Sequence, residues 1–289
     1  MLPYLLMLVT LVLACLKVTI QGTLTRTFLK NTTDMIFYNM LVFFLIGAVY
    51  LVATLPGFPS WVTVGYAVFF GLFGAGFQIL YTMALKAGPV SVTVLITSLS
   101  VGITTIFGLF HYHEHLAVPG ILGLICLAAS LLLSVNLREA RRSRFSGKWL
   151  LLSVGAMVCN GLTGVITKLH GDAPGHSGNN AYMAVAYLVG GLMLLAIWLT
   201  HRRKEPQTVP TAPKYILSML SVGVVLCIYL PLYLYVMQLF DVSVFFPVQS
   251  AGSTTLISLT GILLFKDRLK PAQYVGLALG AAAVVLLAL

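Results

Sequence analysis

The sequence predicts an all-α integral membrane protein with ten transmembrane helices arranged as two inverted five-helix repeats. Three observations predict this fold class: the composition, a series of long apolar runs, and an internal repeat. Of the 289 residues, 59% are hydrophobic and only 8% are charged. A water-soluble domain of this size could not cover its surface with so few polar side chains. We therefore expect the chain to lie in a lipid bilayer.

Ten apolar runs are long enough to span about 30 Å of hydrocarbon, which takes roughly 20 residues of α-helix. They lie near residues 3–22, 35–54, 61–85, 89–110, 117–137, 149–168, 181–200, 215–237, 243–265 and 271–289. The first run has no basic segment before it and no small-residue cleavage site after it, so we interpret it as a retained helix rather than a signal peptide.

The net charge of +10 indicates orientation in the membrane rather than binding to nucleic acid. Fifteen of the seventeen Lys and Arg residues lie in or beside the connections that follow odd-numbered runs. Because cytoplasmic connections carry the excess of basic residues, both termini are expected on the extracytoplasmic side. We expect a multi-pass protein of the plasma membrane, corresponding to the bacterial inner membrane, with no nucleic-acid partner.

The two halves of the sequence are related to each other. Sliding the chain by 153 residues aligns 81–133 with 234–286 without a gap. Each copy contains five crossings, an odd number, so the second copy enters the membrane from the opposite side. Inverted repeats are typical of secondary transporters, which alternate between two states around a site near the midplane. The predicted domains are a first repeat at 1–137, a basic cytoplasmic linker at 138–148 and a second repeat at 149–289.

The segment FHYHEHL, residues 110–116, places three histidines at alternate positions around Glu114. Imidazoles so arranged could bind zinc or copper, so a metal-binding or metal-transport protein using His111, His113 and His115 is one alternative. The second copy reads FKDRL and shares only the acidic residue, Asp267, which favours a turn between helices. We expect both carboxylates to accept hydrogen bonds from the first amides of the following helix.

Polar residues at mid-depth in the apolar runs are the candidate lining of a substrate cavity. Thr93, Thr97, Ser100 and Thr104 are spaced by four, three and four residues, which places them on one helix face. Such side chains usually face the bundle interior or a water-filled route; hydrogen bonding that only holds helices together is the alternative. The predicted lining consists of Lys17, Gln78, Tyr81, Thr97, Ser98, Ser100, Asn160, Tyr229, Tyr233, Gln249, Ser250 and Ser253.

Four residues are predicted to have structural or gating roles: Glu114, Lys168, Pro231 and Asp267. A proline inside a helix can kink it and free a carbonyl. Lys168 is the repeat partner of Lys17, which lies about 20 Å into the slab and must snorkel, pair or face the cavity. No apolar run carries a carboxylate at mid-depth. This favours a neutral, zwitterionic or anionic solute and leaves a multidrug or cation exporter as an alternative.

Two long segments resemble the fourth and ninth helices, with their acidic turns, of the EamA-type branch of the drug/metabolite transporter superfamily. They are ALKAGPVSVTVLITSLSVGITTIFGLFHYHEHL and VFFPVQSAGSTTLISLTGILLFKDRL. The Lys-ended helices LACLKV and GVITKLH and the Gly-containing fifth and tenth helices extend the resemblance to essentially the whole chain. Many members carry a proline in helices four and nine where this chain has Val101 and Thr254.

The resemblance implies a basket-like bundle in which helices one to four and six to nine surround a central cavity, while helices five and ten brace the outside. It implies a transporter rather than an enzyme. The sequence itself shows no Ser/His or paired-carboxylate arrangement at a reachable depth. The expected partners are a small-molecule substrate and the bilayer, without a cofactor. We expect a monomer, with a dimer through Gly276 and Gly280 left open.

Overall fold

The structure is a computed structural model of the chain. It describes residues 2–27, 29, 31–54, 57–87, 90–115, 117–134, 146–203, 205, 213–265 and 271–288, and within them the secondary structure is entirely helical. The helices are α1 Leu2–Thr27, α2 Thr32–Thr54, α3 Trp61–Ala87, α4 Val90–Ser98, α5 Ser100–His111, α6 Val118–Ser134, α7 Gly147–Asp172, α8 Asn179–His201, α9 Pro213–Met237, α10 Val242–Phe265 and α11 Pro271–Ala288.

Seven of the described segments are long and apolar enough to cross a bilayer. They are Leu2–Gln21, Thr32–Thr54, Trp61–Leu85, Val92–His111, Gly147–Asp172, Asn179–His201 and Leu220–Met237. Two shorter apolar helices, Val118–Leu133 and Pro271–Leu287, accompany them. The prediction of an all-α, multi-pass membrane protein is therefore confirmed.

The fourth predicted run is divided by a local interruption at Leu99. The Leu99 N–H donates to the carbonyls of both Leu95 and Ile96 at 3.2 Å, and the Gly102 N–H donates to the Leu99 carbonyl at 2.9 Å. The backbone therefore tightens for one turn from the α-helical to the 3₁₀ pattern. Hydropathy does not detect such a change because every residue involved is still apolar or small. α4 and α5 nevertheless form one apolar segment, Val92–His111.

The helices pack largely in pairs drawn from the two halves of the chain. α2 packs against α8, α3 against α7, and α6 against α11. The α6 and α11 contact includes a hydrogen bond from the Ser130 hydroxyl to the Gly276 carbonyl at 2.6 Å. A side chain at Gly280 would meet the Ser130 hydroxyl at 3.0 Å. The glycines left open for a dimer thus lie in a contact within the chain.

The two ends of the bundle are named after landmarks. The Glu114 end holds residues 110–115, the C-terminus of α7 and the N-termini of α3 and α10; there the Ser60 N–H donates to the Ser177 hydroxyl at 2.6 Å. The linker end holds the start of α7 and the end of α8, where the Thr33 hydroxyl donates to the Glu205 carbonyl at 2.9 Å.

His170 lies just beyond the sixth predicted apolar run, which ends near residue 168, but it is buried in the bundle. α7 continues to Asp172, so His170 is a helical residue with 1% of its surface exposed. Its Nε2 lies 3.2 Å from the Thr63 hydroxyl, and its ring stacks on Tyr182 with centroids 4.1 Å apart. These two contacts satisfy an imidazole inside the bundle, and hydropathy alone does not reveal them.

Gly71 is a point where the backbones of α3 and α8 approach closely. A Cβ there would lie 2.5 Å from the Ala186 carbonyl oxygen and 2.9 Å from the Gly190 nitrogen, whereas a Cβ at Gly65 in the same helix meets nothing within 4 Å. Because backbone cannot rotate away, Gly71→Ala should force the helices apart and lower the free energy of unfolding by about 1–3 kcal/mol.

Melting temperatures of the detergent-purified variants test this expectation. Gly71→Ala should melt below the wild type, and Gly65→Ala, the matched control, should melt at or above it because alanine favours helix. Equal melting temperatures for the two variants would contradict the described α3 and α8 contact.

Candidate functional site

A cavity of about 410 Å³ lies among helices of both halves. Its wall is formed by side chains of α3, α4, α5, α7, α9 and α10, and hydroxyl and amide groups predominate among the polar ones. We name it the hydroxyl compartment. The predicted residues that line it are Tyr81, Thr97, Ser98, Ser100, Asn160, Tyr233, Gln249, Ser250 and Ser253.

A second cavity of about 190 Å³ adjoins the first, because Phe77, Asn160 and Thr163 line both. We name it the Lys17 compartment. Lys17 and Gln78, both predicted as lining, contribute polar groups to it. Gln21 and Asn39 add two further amides, and the rest of its wall is mainly apolar and aromatic. The structure therefore brings together eleven of the twelve predicted residues around two joined spaces, while their role in binding a solute stays a prediction.

Tyr229 is the twelfth predicted residue, and it lines neither compartment. Its hydroxyl accepts a hydrogen bond from the Gln249 amide at 3.4 Å. The Gln249 side-chain oxygen also accepts one from the Thr10 hydroxyl at 3.3 Å. Tyr229 and Thr10 thus orient the side-chain amide of Gln249 without lining the cavity themselves.

Several lining residues were missed by sequence reasoning, among them Thr163, Gly164 and Phe246. Thr163 follows Asn160 by three residues in α7, so the helical period could have placed it on the same face. Gly164 and Phe246 carried no such signal, because a glycine and a phenylalanine in an apolar run are ordinary packing residues.

Four hydroxyls of the lining donate their protons within their own helices. Thr97 donates to the Thr93 carbonyl at 3.0 Å, and Thr163 donates to the Asn160 carbonyl at 2.7 Å. Thr104 does the same to Val101 at 2.9 Å, and Ser253 to Ser250 at 3.2 Å. A hydroxyl has one proton and two lone pairs. Once the proton is used within the helix, the group presents acceptors to the cavity.

Asn160 connects the two halves at the centre of the site. Its side-chain amide, on α7, donates to the Ser100 hydroxyl on α5 at 2.7 Å. The carboxamide oxygen of Asn160 is the complementary acceptor group of the same side chain. Because Asn160 lines both compartments, it stands at the passage between them.

The Glu114 carboxylate caps a helix of the other half of the chain. Oε1 accepts from the Val242 N–H at 2.8 Å and Oε2 from the Ser243 N–H at 2.7 Å. We name this contact the Glu114 clasp. The prediction that Glu114 caps a helix N-terminus is correct, but the expected helix was wrong, because the capped helix is α10 and not the following helix, α6.

The backbone around His113 explains why Glu114 reaches α10. His113 has a left-handed conformation with φ of 53°, and the Glu114 N–H donates to the Gly108 carbonyl at 3.5 Å. The chain therefore folds back over the end of α5. A Cβ at Gly108 would lie 2.6 Å from Glu114 Oε2 and 2.9 Å from the Val242 Cβ, so only glycine leaves room for the clasp.

Lys168 takes part in a second contact at the Glu114 end. Its amine lies 3.9 Å from Asp172 Oδ1 and 5.7 Å from the centre of the Tyr112 ring. The Tyr112 hydroxyl donates to Asp172 Oδ2 at 2.5 Å. Burial, followed by the hydrogen bond to Asp172, raises the pKa of Tyr112, so this donor keeps its proton at neutral pH. The segment after α5 is thereby tied to α7 as well as to α10.

A close-packed layer lies between the clasp and the hydroxyl compartment. A Cβ at Gly164 in α7 would lie 2.7 Å from Thr104 Cγ2 in α5 and 2.9 Å from Phe246 Cε1 in α10. Three helices therefore meet at this point without room for a methyl group. This layer and the Glu114 clasp thus lie on the same side of the cavity, towards the Glu114 end of the bundle.

Pro231 lies inside α9, as predicted. Proline has no N–H, so the carbonyl four residues earlier, that of Cys227, loses its helical partner. The Tyr50 hydroxyl on α2 donates to this carbonyl at 2.6 Å. The proline thus creates a hydrogen bond between helices, and a gating role for it stays a prediction.

The described histidines do not form a metal site. His111, His113, His115 and Glu114 are all within the described residues, which contain no group of three or more candidate ligands. The His111 ring instead stacks on Phe107, with centroids 4.7 Å apart, and Glu114 is engaged by α10. Asp267, the repeat partner of Glu114, lies outside the described residues.

The comparisons with known proteins agree with this architecture. No curated protein matches the chain, but 29 chains of solved structures do. One crystal structure superimposes with a TM-score of 0.73 and 17% sequence identity, covering 98% of this chain and 96% of that chain. At this identity the likeness shows the fold alone. A model of the EamA-like transporter family matches residues 5–136 and 147–289, and because these two segments cover nearly the whole sequence, the chain belongs to the EamA-like transporter family.

Proposed function

We propose that this transporter moves a small organic solute by alternating access through the two joined compartments. It does so with ten crossings built as two inverted five-helix repeats. The observation that carries the proposal is the symmetry of the helix contacts around the cavity. Exchange between two states of similar halves is the way in which inverted repeats expose one site to either side of a membrane.

The symmetry appears when each helix is exchanged with its repeat partner: α1 with α7, α2 with α8, α3 with α9, α4 and α5 with α10, and α6 with α11. The pairs α2 and α8, α5 and α10, and α6 and α11 map onto themselves. The α3 and α7 pair maps onto α9 and α1, and the α1 and α10 pair onto α7 with α4 and α5. All of these contacts are present.

The chemistry of the lining favours a neutral, zwitterionic or anionic solute. The side chains that line the two compartments include no Asp or Glu among the described residues. The hydroxyls of Thr97, Thr104, Thr163 and Ser253 use their protons within their own helices, so they can accept hydrogen bonds from donor groups of a solute. A cation exporter, the alternative, would lack a counter-charge here.

In one of the two states of the proposed cycle, the Glu114 clasp and the layer at Gly164 close the bundle at the Glu114 end. We assign this end to the extracytoplasmic face of a plasma membrane, because the basic connections should lie in the cytoplasm, with both termini on the Glu114 side. The Glu114 clasp and the Tyr112 contact with Asp172 then act as the outer gate. Lys168 stabilises this gate through its ion pair with Asp172. Opening requires the helices of the two halves to separate at this end.

A thermal-stability screen of the purified protein against metabolites tests the proposed function. A solute that binds the folded state alone raises the melting temperature, and a solute found in this way should then accumulate in proteoliposomes containing the protein. A solute that binds but never crosses the membrane would contradict the transport proposal.

Asn160→Leu should abolish most of the flux of such a solute. The change keeps the approximate volume but removes the bond to Ser100 and the polar group at the passage between the compartments. Loss of one buried hydrogen-bonding group costs about 1–3 kcal/mol, which corresponds to about 5- to 150-fold in rate. Asn180→Leu, the same replacement at an exposed position, is the control. Equal flux in the two variants would move Asn160 to a packing role.

Glu114→Gln should open the Glu114 end more often. Glutamine loses the charge and one of the two acceptor oxygens that hold the first amides of α10. The readout is labelling of Thr104→Cys, placed in a background without the native cysteines, by a membrane-impermeant thiol reagent added on the Glu114 side. Labelling should rise several-fold relative to the exposed-site control His115→Gln. A labelling rate equal to that of the control would show that the clasp does not close this end.

A further inference from the structure

Lys17 is the one charged side chain among the described residues that line the two compartments. It lies in α1 and faces a wall formed by residues such as Phe43, Ile46, Tyr187 and Val222. These residues belong to the inner parts of α2, α8 and α9. A snorkelling lysine would extend towards an end of the bundle, whereas this one lines an internal cavity.

The amine of Lys17 lacks a counter-charge. No carboxylate of the described residues lies within ion-pair distance of it. The described acidic residues are Asp34, Glu114, Asp172, Glu205 and Asp241, and none of them lines either compartment. An ammonium group in a confined space away from bulk water is unfavourable unless an opposite charge approaches it. An anionic group of a ligand would therefore supply the negative charge that the Lys17 compartment lacks.

The two compartments differ in the hydrogen-bonding groups that they offer. The Lys17 compartment combines a cation with aromatic and aliphatic walls, including Phe43, Phe70 and Phe77. The hydroxyl compartment offers acceptors at Thr97, Thr104, Thr163 and Ser253, which donate within their own helices. A solute lying across Asn160 would thus meet a positive charge at one end and acceptors at the other.

We propose that the Lys17 compartment is the anion-binding part of the transport site. Resting on the transport function proposed above, this assigns the solute to the small organic acids. The acidic group lies against the Lys17 amine, an apolar portion lies among the phenylalanines, and any hydroxyl or amino groups point into the hydroxyl compartment.

The electrostatic part of the proposal can be tested without knowing the solute. Gln78→Cys, in a background without the four native cysteines, places a reporter thiol in the Lys17 compartment. The rates at which an anionic sulfonatoethyl and a cationic trimethylammonioethyl methanethiosulfonate modify it, each relative to a free thiol, report the local potential. A positive charge nearby should favour the anionic reagent by about tenfold or more.

Lys17→Met should remove this preference, because methionine keeps a long unbranched chain without the charge, and Lys17→Arg should keep it. Lys17→Gln replaces the methionine variant if that variant does not fold. His115→Cys, exposed at the Glu114 end, supplies the control thiol, and its reagent preference should be the same with or without Lys17. A reagent preference at the reporter thiol that is unchanged in Lys17→Met would overturn the proposal.

A matched series of probes tests the solute class. Phenylacetate, its neutral amide phenylacetamide and the cation phenethylamine have similar bodies and different charges. Phenylacetate should protect the reporter thiol of Gln78→Cys from the neutral reagent N-ethylmaleimide at least about tenfold better than the other two, and Lys17→Met should erase the difference. Equal or better protection by the amide or the amine would overturn the anion assignment.

The outcomes separate this inference from the transport proposal. If the reporter thiol reacts with both charged reagents without a dependence on Lys17, the anion assignment fails and the water-filled route stands. If neither reagent reaches the reporter thiol while the control thiol of His115→Cys reacts normally, the compartment is closed to water. The transport route and the anion subsite then fail together.

Discussion

The structure depends on pairing the first backbone amides of α10 with the Glu114 carboxylate. The first N–H groups of a helix have no partner within the helix, and leaving them unpaired within a bilayer is unfavourable. Here the acceptor comes from the other half of the chain, at 2.7 and 2.8 Å. Satisfying the end of one helix therefore joins the two halves. The Tyr50 bond to the Cys227 carbonyl, which Pro231 leaves free, follows the same rule.

The same pairing rule gives the cavity its chemical character. Serine and threonine hydroxyls satisfy their protons within their own helices, as Thr163 does with the Asn160 carbonyl, so they can line a space in the membrane without a partner helix. Their lone pairs are then available to a solute. Lys17 cannot satisfy itself in this way. The site has hydroxyl acceptors at one end and a cation without a counter-charge at the other. It can therefore distinguish the two ends of a solute, which a purely hydroxylated cavity could not.

Sequence reasoning located the helices and most of the polar lining because both depend on local periodicity. Thr97 and Ser100 share a helical face and reappear in the second copy as Ser250 and Ser253, and all four line the cavity. The helix capped by Glu114 could not be inferred, since the carboxylate and its amides are 128 and 129 residues apart. The burial of His170 and the interruption at Leu99 likewise depend on tertiary neighbours and backbone geometry, to which hydropathy is insensitive.

The central claim is that the two ends of the bundle open in turn around one site. Distances between paired spin labels in lipid nanodiscs test it most directly, with His115 and Leu239 reporting the Glu114 end and Ala87 and Leu259 reporting the linker end. All four positions are exposed, so the labels should leave the packing intact. We expect two populations at each end, shifting in opposite directions when a transported solute is added. Distances that stay single at both ends, or that widen at both ends together, would contradict alternating access.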